Sequence, residues 1–353
     1  MQVIKRKING IEIAVDPYKA NRILFNKNVI EENNVNIAHL ELKDLLSFLT
    51  KQGNFTPLYL KWEITSRCNK DCPFCYIHNH TNDIELDFDQ NKKIIDFLYE
   101  KGLFFVCMTG GECTLYKDFK KMYLYLKKKG ILVEVYSNGI NISPEVIQMF
   151  KEYMPYRVEI TLYDMDEKIL KTILALKKEK INIVAKCTVN NSTICYFDAI
   201  KQWCENNSIP FYFSTEVFNA YDDTDMSQFN LDEQEKCRVD KIRYKDLKMK
   251  YGRKRCLSCG AGRYALSLRG ENLDICPHIK TYDKSVSLEL NYQKIVKYIH
   301  MYKNQDIIGC EGCECFNLCK MCIARALKNG IEIKVPDGYC EKINLYAKEI
   351  GLL

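Results

Sequence analysis

Several features of other protein classes are scarce in this chain. Proline numbers only 8 and glycine 16, which excludes collagen-like and low-complexity architectures. No run reaches the ~18 consecutive apolar residues of a membrane helix, so no membrane partner is expected. Met1 to Arg6 has neither an apolar stretch nor a small-residue cleavage site, and no secretory signal is expected. The net charge is only +6, and lysines alternate with acids, as in Lys92, Lys93 and Asp96. That pattern is a solvated helix face, so no nucleic-acid partner is expected. With 47% hydrophobic and 28% charged residues, disorder is excluded as the main state. Cysteine, by contrast, is abundant, with 18 in 353 residues. Secreted disulfide scaffolds are shorter and denser in cysteine, so the chain reads as a cytoplasmic metal protein.

Three regions follow from the patterning. In residues 1–57, strand-like Val3–Ile8 and Ile11–Val15 flank Asn9-Gly10, a hairpin signal. Arg22–Phe25 is a candidate third strand, and Asn36 to Lys51 reads as an amphipathic helix. From residue 58 to 230 strands alternate with helices. The strands are Leu58–Ile64, Leu103–Thr109, Ile131–Tyr136, Arg157–Leu162, Ile181–Val189 and Pro210–Ser214. Six such strands imply an α/β fold with a parallel sheet, either open or curled into a partial (β/α)6 TIM-like barrel, with ligands at the strands' carboxyl ends. Residues 231–353 open with a helix, Leu231–Tyr244. Periodicity then fades, and nine cysteines between 256 and 340 mark a second, metal-organised domain.

Cys68, Cys72 and Cys75 form a C-x3-C-x2-C triplet directly after the first strand of the core. Three thiolates from one tight loop can hold three irons of a cubane cluster and leave the fourth open, as catalytic metal sites do. A Cys3His zinc knot completed by His78 or His80 is the bland alternative. Four further strands carry candidate ligand contacts. Gly110-Gly111-Glu112 joins two glycines, which permit close backbone approach, to a carboxylate that can accept from an ammonium. Ser137-Asn138-Gly139 is a turn by composition. Thr161 and Thr188 end the fourth and fifth strands.

On these residues the chain resembles the radical S-adenosylmethionine superfamily over residues 58 to about 215. The resemblance implies that the open iron is chelated by the amino and carboxylate groups of S-adenosylmethionine. It implies reductive cleavage to a 5′-deoxyadenosyl radical that takes a hydrogen atom from the substrate. Phe74 then lies near the adenine, and Tyr76 lines the same wall. Glu112 with Gly110 and Gly111 meets the methionine amine. Ser137, Asn138 and Gly139 face the carboxylate or ribose, with Thr161 and Thr188 as further contacts.

The C-terminal cysteines run Cys256-x2-Cys259, Cys276, Cys310-x2-Cys313-x5-Cys319-x2-Cys322 and Cys340, enough for two four-ligand sites. Zinc ribbons use similar pairs. The pattern also resembles the SPASM extension of radical enzymes that modify peptides and proteins. That resemblance implies one auxiliary [4Fe–4S] cluster on Cys256, Cys259, Cys276 and Cys322, and another on Cys310, Cys313, Cys319 and Cys340, three clusters in all. The gap from Cys319 to Cys322 is two residues where the family usually has three, and the additional Cys315 could replace a neighbouring ligand.

The implied substrate is a ribosomally made precursor peptide, with a flavodoxin or ferredoxin as electron donor. Residues 1–57 then resemble a shortened leader-peptide-binding element; a capping hairpin without a partner is the alternative. A second reading is action on a small molecule or protein side chain. Sulfatase-maturing relatives carry an aspartate base directly after the third cysteine of the extension. Here that position is Pro277, which disfavours them and leaves His278 as a candidate proton acceptor. A non-enzymatic zinc or iron–sulfur scaffold is the remote third.

Overall fold

The computed structural model describes residues 4–9, 11–16, 18, 23–25, 55–77, 84–222, 224–244, 260–279, 281, 283–303, 322, 324, 327–328, 332–333 and 339–349. The helix expected over 36–51 lies outside them, as do His78, His80, Cys256, Cys259, Cys310, Cys313, Cys315 and Cys319.

The strands of the core alternate in character, and that alternation separates two faces. In β4 (Tyr59–Thr65), Leu60, Trp62 and Ile64 are buried in the main apolar core, whereas Lys61, Glu63 and Thr65 take the opposite face. Helix α1 (Phe88–Glu100) starts on a capping box between Asp87 and Gln90. Next come β5 (Phe105–Gly110), α2 (Phe119–Lys128) and β6 (Leu132–Ser137). Helix α3 (Pro144–Glu152) begins where Ser143 accepts from the Val146 amide and Pro144 presets the first turn. The run continues with β7 (Arg157–Thr161), α4 (Glu167–Lys178), β8 (Ile183–Thr188), α5 (Ile194–Asn206) and β9 (Phe211–Ser214), then α6 (Glu233–Tyr244). β4 to β9 pair in sequence order and all in parallel, the α/β arrangement expected.

The sheet is wider than the expected six strands. β10 (Ala265–Arg269) lies parallel to the free edge of β4, and β11 (Asn272–Asp274) folds back antiparallel, giving eight strands. Thus the cysteine-rich region contributes a hairpin to the core's own sheet. Covering that edge also removes an unpaired strand. The remaining elements are α7 (Leu288–Lys303), the short pair β12 (Leu327–Lys328) and β13 (Glu332–Ile333), and α8 (Tyr339–Glu349).

The N-terminal hairpin forms as expected: β1 (Ile4–Ile8) and β2 (Ile11–Val15) pair antiparallel, with β3 (Ile23–Phe25) on the far side of β2. Its apolar residues Ile8, Ile13 and Val15 pack on Leu58, Phe104, Phe105 and Leu132. Those four sit at the amino ends of β4, β5 and β6. Arg6 donates to the carbonyls of Leu103 (2.6 Å) and Tyr99 (3.2 Å). One face of the hairpin therefore seals the end of the sheet opposite the cavity described next.

Candidate active site

A cavity of about 290 Å³ opens at the carboxyl ends of the parallel strands. Its rim is the loop after β4, which carries Cys68, Cys72 and Cys75. The loop is fixed at its base. Arg67 makes a two-pronged salt bridge to Glu85 (2.8 Å on both arms) and donates to the Leu115 carbonyl at 2.6 Å. Thr65 Oγ1 donates to the same carboxylate at 2.7 Å. Within the loop the Cys75 amide donates to the Cys72 carbonyl at 3.0 Å.

All three thiols are half-buried and line the cavity. Burial pushes the Cys68 thiol up, and burial together with the neighbouring Cys75 pushes Cys72 up to about 12. Thiolates here need a cationic partner, which a bound metal supplies. Among the described residues no three His, Cys, Asp or Glu side chains converge on one point as a single ion requires. Three thiols spread around one cavity suit a cluster, in which each thiolate takes its own iron.

The two glycines after β5 have a specific cause. A β-carbon on Gly110 would stand 2.2 Å from the Thr65 carbonyl oxygen, and one on Gly111 2.3 Å from that of Arg67. Without side chains the two segments lock together: the Gly111 amide donates to Thr65 (2.9 Å) and the Glu112 amide to Arg67 (2.8 Å). The end of β5 thereby buttresses the base of the cysteine loop.

Glu112 lies behind the cavity wall and is completely buried. Its Oε1 accepts from Thr114 Oγ1 (2.6 Å) and Ser137 Oγ (2.9 Å), and its Oε2 from the Asn138 amide (2.7 Å). Burial pushes its carboxyl up, against these donors. The carboxylate thus ties the β5 turn to the β6 turn. Glu112→Gln is expected to lose about 1–3 kcal/mol of stability, because its amide faces donors with a donor. A lowered urea midpoint would report it, and an unchanged one would refute this role.

Asn138 carries the link onward, donating to Cys68 Sγ (3.8 Å) and Asn69 Oδ1 (2.7 Å). Gly139 takes φ +78° as the turn requires, and its amide donates to Ser137 Oγ at 3.0 Å, away from the cavity. Gly110, Gly111, Ser137, Asn138, Thr161 and Thr188 do line the cavity. Phe74 packs edge-on to Tyr163 with ring centroids 5.0 Å apart. Tyr76 packs edge-on to Tyr221 at 5.3 Å, and the Tyr221 hydroxyl donates to buried Glu63 at 2.6 Å. His278 stacks on Phe218 at 4.2 Å and forms part of the wall. It lies two residues beyond Cys276, so the cysteine-rich region reaches the cavity here. Cys322 is half-buried and Cys340 exposed at the start of α8.

Sequence reasoning missed the floor: Lys61, Tyr136, Glu159 and Lys186. The signal was present, since each of these strands places a charged residue inside an apolar run, as in Arg-Val-Glu-Ile-Thr over 157–161. Buried strands tolerate such charges only against a polar interior.

Residues 62–196 match the radical SAM superfamily. The sporulation killing factor maturation protein SkfB of Bacillus subtilis is 25% identical over 167 residues, 43% of this chain and 41% of SkfB. The Fe-coproporphyrin III synthase of Methanosarcina barkeri is 26% identical over 164 residues, 42% of this chain and 41% of that enzyme. The chain thus spans about two fifths of the length of these curated relatives. Among solved structures, SuiB of Streptococcus suis shares the fold with a TM-score of 0.65 at 12% identity, covering 95% of this chain and 98% of SuiB. Residues 62–196 thus carry a radical SAM domain, and the curated relatives mark the chain as an enzyme. The curated relatives include the maturation protein SkfB as well as the Fe-coproporphyrin III synthase. No helix among the described residues is long and apolar enough to cross a membrane.

Proposed function

We propose that this protein is a cytoplasmic radical S-adenosylmethionine enzyme that modifies a ribosomally made precursor peptide. The observation that carries the reading is the cysteine triplet opening onto the same cavity as Gly110, Gly111 and the Ser137–Asn138 turn. Cys68, Cys72 and Cys75 would hold the cluster. When bound, cluster and cofactor supply a 5′-deoxyadenosyl radical for hydrogen abstraction. Gly110 and Gly111 keep the loop in place, and Asn138 holds Cys68 through a hydrogen bond. Phe74 and Tyr163 form an apolar wall for the adenine. Thr161 and Thr188 offer hydroxyls from the strand ends, and His278 is the candidate proton acceptor.

The peptide class is supported by SkfB's name and by SuiB, which has been solved with its precursor peptide SuiA. We read the sheet as the partial (β/α)6 barrel of the resemblance, with residues 231–353 as a SPASM-like region. In that region Cys256, Cys259, Cys276 and Cys322 hold one auxiliary cluster and Cys310, Cys313, Cys319 and Cys340 the other. A reduced flavodoxin or ferredoxin is the electron donor. The likeness to a coproporphyrin enzyme sustains a second reading, action on a small molecule.

Anaerobic reconstitution with iron and sulfide, followed by dithionite and S-adenosylmethionine, tests the proposal. About twelve irons per chain, three four-iron clusters, with 5′-deoxyadenosine formed, is the expected result. About four irons with activity would remove the auxiliary clusters and keep the radical core. A folded, zinc-bearing protein that forms no 5′-deoxyadenosine would overturn the reading.

A further inference from the structure

Among the described residues, the cavity floor carries a positive charge with no opposite partner. Three lysines line the cavity: Lys61, Lys70 and Lys186. Lys70 Nζ lies 3.4 Å from Asp164, and Lys186 Nζ 3.3 Å from Glu159. The other charges on this face of the sheet are also matched. Arg157 bonds Glu134 and stands 4.0 Å from Glu159, and Arg269 lies 3.8 Å from Glu63. Among the described residues, Lys61 has neither a carboxylate nor a hydrogen-bond acceptor. Its ammonium stands 5.2 Å over the Tyr76 ring. A cation–π contact holds the group in place while leaving its three N–H donors free.

Along β4, Lys61 lies apart from the cofactor's expected contacts at the strand ends, Tyr76 being the one it touches. It pairs with Cys107 in the middle of the sheet, four residues before Thr65, where β4 meets the cysteine loop. That is roughly 13 Å back along the strand. Apart from Phe74 and Tyr76 on the cysteine loop, the residues expected to meet S-adenosylmethionine sit at the strand ends. An anion at Lys61 therefore comes from the substrate, and with Glu159 also on the floor a monoanion fits better than a dianion.

We propose that Lys61 receives a carboxylate of the substrate, either an acidic side chain or a peptide C-terminus, and so selects which residue is presented to the strand ends. This rests on the reading of the cavity as a substrate site. The test titrates the reconstituted holoenzyme with four N-acetylated tripeptides in the presence of S-adenosylmethionine. These are Ala-Glu-Ala amide, Ala-Gln-Ala amide, Ala-Ala-Ala acid and Ala-Ala-Ala amide. One carboxylate peptide should bind about tenfold more tightly than its neutral counterpart, the ratio of one charge-assisted hydrogen bond. Which pair shows it identifies the source of the carboxylate. The preference should vanish in Lys61→Met, and survive in Lys61→Arg and in Lys171→Met on the exposed face of α4. No preference in the unmodified protein, or a preference unchanged in folded Lys61→Met, would overturn the inference. 5′-Deoxyadenosine formation is measured on the same unmodified sample. Its absence refutes the radical reading, whereas its presence without a carboxylate preference refutes only the role of Lys61.

Discussion

Cys72→Ala should leave the reconstituted protein unable to form 5′-deoxyadenosine, a loss of more than about a hundredfold, beyond what outer-shell substitutions at metal sites cost. The substitution removes one thiol and little else. The Cys75 amide donates to the Cys72 backbone carbonyl, which alanine retains, and the clamp from Arg67 to Glu85 lies outside the loop. A folded variant that has lost its product therefore reports on the ligand. Cys107 is the matched control, because it is fully buried within β5. The measurement is chromatographic quantitation of 5′-deoxyadenosine, with iron content and the visible absorbance of the cluster recorded alongside. Full retained activity in Cys72→Ala would defeat the assignment of the triplet.

The second large effect is expected at Gly111. An alanine there would force its β-carbon to within 2.3–2.7 Å of backbone atoms of Ser66 and Arg67, none of which can rotate away as a side chain would. Either β5 or the base of the cysteine loop must shift, and the hydrogen bonds between the two segments stretch. Gly111→Ala is thus expected to cost about 3 kcal/mol and to lower the iron retained after reconstitution. Gly110→Ala should be worse still, since its φ of +140° strains any side chain in addition to the clash. Urea denaturation and iron content read both effects. Native stability and full iron in Gly111→Ala would show that the glycines are not packed for this purpose.

Much of this was legible along the chain. The β-α rhythm from residue 58 matched the observed strands to within one or two residues. Apolar alternation, Ser143-Pro144 and the glycines closing α1 and α2 are local signals, and each acts within one turn of helix or strand. The cysteine triplet was equally plain, because all three thiols come from one loop. Glu112 was legible as an important carboxylate, but its partners Ser137 and Asn138 belong to the next strand and were not. The β10–β11 hairpin was not visible, because its weak alternation gains meaning only against the free edge of β4, some 200 residues earlier. Lys61 was overlooked for a related reason: a lysine inside an apolar strand looks like an edge residue until the faces of the sheet are known.

The sequence by itself determined the class of fold, the cysteine loop and the strand ends that line the cavity, because periodicity and spacing are properties of contiguous residues. Only the tertiary structure decided that the hairpin of residues 4–15 closes the far end of the sheet, that residues 265–274 extend the sheet, and that His278 reaches the cavity. It also decided which charges lining the cavity are matched and that, among the described residues, half-buried Lys61 is not. Those outcomes depend on pairings between segments distant in the chain, where the energy of burying a charge or an unpaired strand edge is settled by whatever the fold brings alongside.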